Sequence, residues 1–249
     1  MATDDARPVT PGELVFRAGL TRLAGRILGY PDREALAEIH DLAEKVRTLT
    51  GDESWQARLD NVAEQAAAAS SDELEGEYLA LTEGNGRASL AEGSYAPGVG
   101  AALELRLADL SGYYAAFGME RDPGAPRPDH ASVELEFYSE LLLRTAYGIE
   151  TGDAEQEAIC SDAARNFLAQ HLGGWLPLAA ERLGQQAESG HLVGAAGLAR
   201  TALVAEMKTF GVSPAWRPAE KPRDVAEEGP PDCAGCPSPV AEPIASPVR

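Results

Sequence analysis

Apolar residues recur at spacings of three and four positions along most of the chain, from about residue 10 to residue 210. This spacing places them on one face of an α-helix, whose period is 3.6 residues. The pattern predicts an all-α protein of eight or so helices joined mostly by short links and packed as a bundle or globule. The sequence shows no repeat of fixed length, so it does not predict a helical solenoid.

The first half of the chain is predicted to form five helices. The first helix ends near Gly29, since Pro31 cannot continue the ladder of backbone hydrogen bonds. The second begins at Asp32, the third follows residues 51–52, and a short fourth is capped by the Ser-Ser-Asp segment 70–72. The fifth carries apolar residues at positions 103, 107, 110, 114 and 117, and Gly118 ends it.

The link from residue 82 to about residue 100 is long for a helix-to-helix connection, and loops of that length often carry function. After a proline-rich segment, helices are predicted over 130–147, 153–171, 174–183 and 190–210. The last 31 residues contain seven prolines and almost no large apolar residue. We therefore expect a flexible N-terminus over 1–11, one helical domain over 12–218 and a disordered acidic tail over 219–249.

The charge balance narrows the classes of partner. The chain has 21 Lys and Arg residues against 40 Asp and Glu residues, a net charge of −19. Nucleic acids and anionic membrane surfaces would be repelled by such a polyanion, so we do not expect them as partners. The sequence shows neither the basic start and apolar run of a secretory signal nor a stretch of about 18 apolar residues, so we expect a cytoplasmic protein without stable membrane insertion.

The segment 128–138 carries the most informative local pattern. Asp129 is predicted to cap a helix that starts at His130, and His130 and Glu134 stand one helical turn apart. One interpretation is a capped helix with a His/Glu pair on its surface. The other is a metal site or acid/base cluster of Asp129, His130 and Glu134, although two or three ligands in one segment do not complete a metal site.

The three cysteines offer little chemistry. Cys233 and Cys236 form a Cys-x-x-Cys pair in the proline-rich tail, and the chain has no second pair to complete a structural zinc site. An exposed thiol pair is one interpretation, and capture of a metal shared with a second chain or a client is the other. Cys160 is predicted to be a lone buried thiol. Phosphate-loop and Gly-x-Ser-x-Gly motifs are absent from the sequence.

Four motifs occur in an order that resembles the TorD/NarJ/DmsD family of cytoplasmic maturation chaperones for molybdenum-containing redox enzymes. They are Glu-Gly-Glu-Tyr-Leu-Ala-Leu at 75–81, Ser-Leu-Ala-Glu-Gly-Ser-Tyr at 89–95, the Ala-Asp to Phe-Gly segment 108–118, and Asp-His through Glu-Leu-Glu-Phe at 129–137. The resemblance covers about residues 12–210. The chain departs from the family pattern at Leu90-Ala91, Thr82 and Tyr138.

The resemblance implies an all-helical protein that is not an enzyme and needs no cofactor. Such a chaperone binds the apo catalytic subunit of a molybdopterin-dependent oxidoreductase, or its twin-arginine signal peptide, and assists cofactor insertion, assembly and export proofreading. The motif style is similar to that of chaperones serving the dimethyl-sulfoxide-reductase family, including its type II branch of nitrate, selenate and chlorate enzymes. The expected state is a monomer or homodimer.

The net charge would attract a cationic signal peptide, and the apolar part of that peptide would need a groove between helices. We expect six residues to border this client surface: Glu92, Tyr95, Asp109, Asp129, His130 and Glu134. The competing interpretations make Tyr95 and Tyr114 core aromatics and Glu92 an ordinary solvated acid. Tyr78, Phe117 and Phe137 are assigned to packing. The alternative function is a metal-dependent helical enzyme that uses Asp129, His130 and Glu134.

Overall fold

The structure is a computed structural model, and it describes residues 9–83, 87–98, 100–120 and 124–218. These residues form an all-α fold, as predicted. Its helices are α1 (Pro11–Ile27), α2 (Arg33–Arg47), α3 (Glu53–Ala68), α4 (Ser71–Thr82), α5 (Ala101–Ala116), α6 (Ala131–Thr151), α7 (Ala154–Phe167), α8 (Gly173–Gln186) and α9 (Gly190–Phe210). Within the described ranges none of these helices is long and apolar enough to cross a bilayer.

The starts of the first three helices follow the local chemistry. Thr10 and Glu13 form a capping box, in which each side chain accepts from the backbone N–H of the other residue. Asp32 and Asp52 cap α2 and α3 through their carboxylates. Ser70 precedes α4 but makes no capping hydrogen bond through its side chain. Local sequence therefore determines where α1, α2 and α3 begin.

The helices pack around α1 and α6, which lie against each other along the middle of the molecule. Gly25 makes this approach possible, because a Cβ atom at that position would lie 3.2 Å from both the Leu135 Cβ and the Ser132 carbonyl oxygen. Around this central pair, α8 packs on α9, α2 on α3, and α7 on α6.

Aromatic rings connect α5, α6 and α7. The Phe137 ring centroid lies 5.0 Å from that of Tyr114 and 4.9 Å from that of Phe167, both at steep interplanar angles. Edge-to-face pairs of this kind add to the free energy gained by burying the rings. Phe137 and Tyr78 are buried, and the partly exposed Phe117 packs against Phe137, which confirms the packing role predicted for all three. Cys160 is a buried free thiol, also as predicted.

The predicted break between helices at 171 and 174 is wrong. The chain passes from α7 through one π-helical turn, Leu168–Leu172, directly into α8. Gly173 and Gly174 allow close contacts instead of ending a helix. A Cβ atom at Gly173 would lie 2.6 Å from the Leu168 carbonyl oxygen, and one at Gly174 would lie 2.6 Å from the Trp216 ring. Sequence rules treat adjacent glycines as helix breakers and give no signal for a π turn.

The π turn also anchors the end of the described chain. The Ala169 carbonyl accepts a hydrogen bond of 2.8 Å from the Ala215 backbone N–H, and the Gln170 carbonyl accepts one of 2.7 Å from Trp216 Nε1. A π turn leaves carbonyl groups outside the regular ladder, and these two carbonyls find partners in the segment that follows α9.

A buried ionic network connects α1, α6 and α9. Arg17 donates two hydrogen bonds, of 2.7 and 2.6 Å, to the two carboxylate oxygens of Glu206. The Tyr138 hydroxyl donates a third bond of 2.7 Å to Glu206. Glu206 is only 3% exposed, so each partner compensates a charge that solvent cannot reach.

We expect Glu206→Leu to lower the free energy of unfolding by about 3 to 5 kcal/mol, because it leaves the Arg17 guanidinium buried without its counter-charge. The double variant Arg17→Met/Glu206→Leu should recover much of that loss. Urea unfolding followed by circular dichroism measures both. Glu140→Leu, which breaks the partly exposed Arg144–Glu140 pair, is the control and should cost less than about 1 kcal/mol. A double variant as unstable as the single one would contradict this account.

Candidate functional site

The long link between α4 and α5 is attached to the start of α6. Residues 91 and 130 form an isolated antiparallel bridge. The Ala131 N–H donates to the Leu90 carbonyl at 2.8 Å, and the Glu92 N–H donates to the Asp129 carbonyl at 2.8 Å. This pairing brings two of the predicted site motifs, 89–95 and 129–137, into direct contact.

The Glu92 side chain is fully buried at the centre of this region. Arg106 of α5 donates to its Oε1 atom at 2.7 Å, and His171 Nδ1 lies 3.1 Å from its Oε2 atom. His171 Nε2 in turn lies 3.3 Å from the exposed Asp109 carboxylate, at ion-pair distance but without an aligned hydrogen bond. Glu92 therefore connects the loop, α5 and the π turn.

Sequence reasoning missed His171 and Arg106. His171 shares no ligand spacing with the other candidate residues, and its position depends on the π turn. Arg106 stands two positions before the 108–118 motif and 14 positions after Glu92. Because the two contacts span 14 and 79 positions, beyond the reach of helix caps and helical periodicity, no local pattern predicts them.

Asp129 does not cap α6, contrary to the prediction. The N-cap residue is His130, whose Nδ1 atom accepts from the Ser132 backbone N–H at 3.2 Å. The buried Asp129 carboxylate faces the loop instead, where it accepts from the Gly93 N–H at 3.1 Å and from Arg127 at 3.0 and 3.1 Å. A Cβ atom at residue 93 would lie 3.0 Å from that carboxylate, so glycine leaves room for this contact.

His130 forms a chain of hydrogen bonds toward α1. Because its Nδ1 atom accepts from the backbone N–H of Ser132, its Nε2 atom carries the proton and faces the Tyr78 hydroxyl at 3.3 Å. That hydroxyl donates to the Leu28 carbonyl at 3.2 Å. Burial lowers the pKa of His130 to about 4, so the ring is neutral at pH 7.

Glu134 is also buried, so the predicted surface pair with His130 is wrong. Trp175 Nε1 donates to its Oε2 atom at 3.3 Å, and its Oε1 atom has no hydrogen-bond partner in the described part of the chain. Burial raises the pKa of Glu134 well above its ordinary value, and the nearby charges of Glu92 and Asp129 raise it further. Glu134 therefore favours the protonated form more than an exposed glutamate does.

These contacts define a buried polar cluster of six residues: Glu92, Arg106, Asp129, His130, Glu134 and His171. Its carboxylates outnumber its cations, and Arg127 at the rim supplies a further positive charge. Tyr95 packs beside it, with its ring centroid 5.6 Å from that of Trp175 and its hydroxyl donating to the Ser89 carbonyl at 2.9 Å.

The structure brings the six predicted client-binding residues into one region but buries most of them. The side chains of Glu92, Tyr95, Asp129 and Glu134 are inaccessible, and His130 is half-buried. Asp109, whose side chain is 58% exposed, is the accessible member of the set. Direct client contact by the buried residues stays a prediction.

The described residues contain no group of three or more His, Cys, Asp or Glu side chains placed to hold a metal ion. Asp129, His130 and Glu134 bind separate partners, namely Arg127, Tyr78 and Trp175. The geometry thus gives no support to the alternative metal site at this turn. Cys233 and Cys236 lie outside the described residues.

The all-helical fold is what the sequence motifs led us to expect of a redox-enzyme chaperone, whereas the burial of the motif residues that fix the long loop is not. A family model described as nitrate reductase delta subunit matches residues 34–181, which is more than half of the chain. The chain belongs to this family, and the resemblance to TorD/NarJ/DmsD proteins is confirmed.

Two relatives are similar over a shorter stretch. The selenate reductase assembly chaperone protein of Thauera selenatis is 39% identical over 115 residues, and the chlorate reductase assembly chaperone protein of Ideonella dechloratans is 37% identical over 115 residues. Each match spans 44% of this chain and 57% of the relative. A crystal structure from Archaeoglobus fulgidus, of a proposed redox enzyme maturation protein, covers 81% of this chain and 98% of its own at 19% identity and a TM-score of 0.48.

The raised pKa of Glu134 predicts a pH-dependent effect of Glu134→Gln. The unfolded chain ionises Glu134 near the ordinary pKa of 4.5, whereas the folded protein keeps the proton to higher pH. Folding therefore binds a proton, and this group makes stability fall as pH rises from 4.5 through the folded pKa. Glutamine stays neutral and can still accept from Trp175, so the variant should gain stability relative to the parent protein as pH rises above 4.5.

Urea unfolding at several pH values between 4 and 8 measures this difference. Glu136→Gln is the matched control, because Glu136 lies two residues away in the same helix with a side chain 56% exposed. The control should differ little from the parent protein at any pH. A difference between Glu134→Gln and the parent that stays constant over the range would contradict the assignment.

Proposed function

We propose that this protein is an assembly chaperone for the catalytic subunit of a molybdopterin-dependent oxidoreductase of the selenate or chlorate reductase type. It binds the apo subunit in the cytoplasm and holds it until the cofactor has been inserted. The observation that carries this proposal is the family match over 34–181, which includes the loop, α5, the start of α6 and the π turn.

The names of the two relatives support the class of client. Both are assembly chaperones of reductases, and their identity to this chain is 37–39% over 115 residues. The charges of this chain are compatible with binding another polypeptide, since an acidic surface speeds encounter with basic segments. The buried polar cluster then acts as a scaffold that fixes the loop and α5, and chemistry on a small molecule is no part of this role.

A finer proposal concerns the part of the client that is bound. A twin-arginine signal peptide combines positive charge with an apolar segment, which suits a protein with a net charge of −19. Binding the signal peptide until the subunit is complete would delay export of unfinished enzyme. We propose this proofreading step in addition to assistance with cofactor insertion. The two proposals can be refuted independently of each other.

Deleting the gene in the native host tests the proposal. Under conditions that induce molybdoenzymes, we expect one catalytic subunit to lose most of its molybdenum, roughly tenfold or more, and its activity, since binding to the chaperone no longer protects the apo form. Molybdenum analysis of the purified subunit and affinity purification of the tagged chaperone measure this. The captured subunit should be the same one and should lack molybdopterin.

Two outcomes would contradict the proposed function. The first is a full molybdenum content in every molybdoenzyme of the deletion strain. The second is stoichiometric metal in the isolated protein that is lost in His130→Gln, together with turnover of a metabolite, which would favour the metal-dependent enzyme. The variants Asp129→Asn and His130→Gln, each expressed in the deletion strain, separate a role in folding from a role in client binding. Circular dichroism of the purified variant reports folding, and the molybdenum content of the catalytic subunit reports maturation.

A further inference from the structure

The outer face of α5 is apolar and has no partner in the described structure. Five exposed small or apolar residues follow one another at alternating spacings of four and three, and thus share one helical face: Ala101, Leu105, Ala108, Gly112 and Ala115. Leu105 is 72% exposed, the highest value among the large apolar side chains of the described residues. This is the seam spacing by which one helix packs against another.

This face is exposed although α5 is packed against the rest of the protein on its opposite side. On the opposite side of α5, Leu110 and Tyr114 are buried, and the Tyr114 hydroxyl donates to the Pro128 carbonyl at 2.7 Å. Arg106 fastens the first turns by its bond to Glu92, and its guanidinium lies 4.8 Å from the centre of the Trp216 ring. A helix held on one side presents the other side in a fixed orientation.

The acidic residues beside this face determine which kind of partner it could bind. Glu104 and Asp109 flank it on its two sides, and both are exposed. Arg106 points inward to Glu92, so it does not offset them. A second copy of this chain would place the same acidic flanks against each other on top of a net charge of −19 per chain. The tail 219–249 contains six acidic residues against three basic ones and carries the same sign.

We infer that the outer face of α5 docks a basic amphipathic helix of a partner polypeptide. Leu105 enters the apolar stripe of that helix, the alanines and Gly112 allow its backbone to approach closely, and Glu104 and Asp109 pair with basic residues beside the stripe. This inference rests on the proposed function in one respect: the partner is a segment of the client. It goes beyond that function by assigning the surface and the chemistry of the segment.

A designed peptide tests the surface without knowledge of the client. The probe is a fluorescein-labelled helical peptide with leucines in a heptad stripe and with lysines and arginines on both sides of that stripe. The control peptide has glutamates in place of the basic residues. Fluorescence anisotropy with the full chain gives the Kd. We expect the basic peptide to bind, the acidic one to bind far more weakly, and high salt to weaken the basic complex.

Leu105→Ser should weaken binding of the basic peptide by about tenfold, because it removes the largest apolar side chain of the face. Glu104→Gln should weaken it by roughly threefold and reduce its salt dependence. Leu49→Ser is the matched control, since Leu49 is a 47% exposed leucine that lies between α2 and α3. Thermal unfolding checks that all three variants fold, which their exposed positions lead us to expect.

Three results from the binding and oligomeric-state measurements would overturn the inference. They are unchanged affinity in Leu105→Ser, equal binding of the acidic peptide, and a dimer of the parent chain that Leu105→Ser dissociates, which would make a second copy the occupant. Complementation of the deletion strain with Leu105→Ser separates this inference from the proposed function. Full maturation by the variant, where the deletion abolishes maturation, would refute the docking face alone. Full maturation in the deletion strain itself would refute the proposed function and leave the peptide result standing.

Discussion

The placement of the loop and of α5 depends on the burial of one carboxylate, that of Glu92. A buried charge is costly unless it is paired, and Glu92 obtains its pairs from Arg106 on α5 and His171 on the π turn. These three residues come from separate parts of the chain, so the carboxylate fixes three elements relative to one another. The orientation in which α5 presents its outer face follows from this arrangement.

The other members of the buried polar cluster extend the same constraint. Asp129 holds the loop backbone at Gly93, and His130, neutral at pH 7, reaches α1 through the Tyr78 hydroxyl. Glu134 joins the cluster from α6, where burial and the charges of Glu92 and Asp129 raise its pKa. Hydrogen bonds have strict geometry, so such a cluster specifies one packing where apolar contacts alone would tolerate several.

The fold class could be predicted from the sequence because helical periodicity and caps are local. Thr10, Asp32 and Asp52 each act on backbone groups two or three residues away, and the structure shows α1, α2 and α3 beginning where these residues indicate. The site could be predicted only in part. The motif residues do gather in one place, but Asp129 exchanges its capping role for a contact 36 residues distant, and His171 reaches Glu92 only through a π turn. Those outcomes depend on tertiary contacts that no window of sequence contains.

The distribution of burial separates internal packing from partner docking, two tasks that the sequence analysis assigned to the same motif residues. A polypeptide that binds an unfinished partner must remain folded while it exposes apolar surface, so its own packing and its docking surface need different residues. Here the motif residues Glu92, Tyr95, Asp129 and Glu134 are inside, where they hold the scaffold together. Glu104 and Leu105 lie outside the motifs and at the surface. The motifs therefore identify the family, whereas under the proposed function the preference for one partner over another has to arise from exposed residues, both between the motifs and, like Asp109, within them.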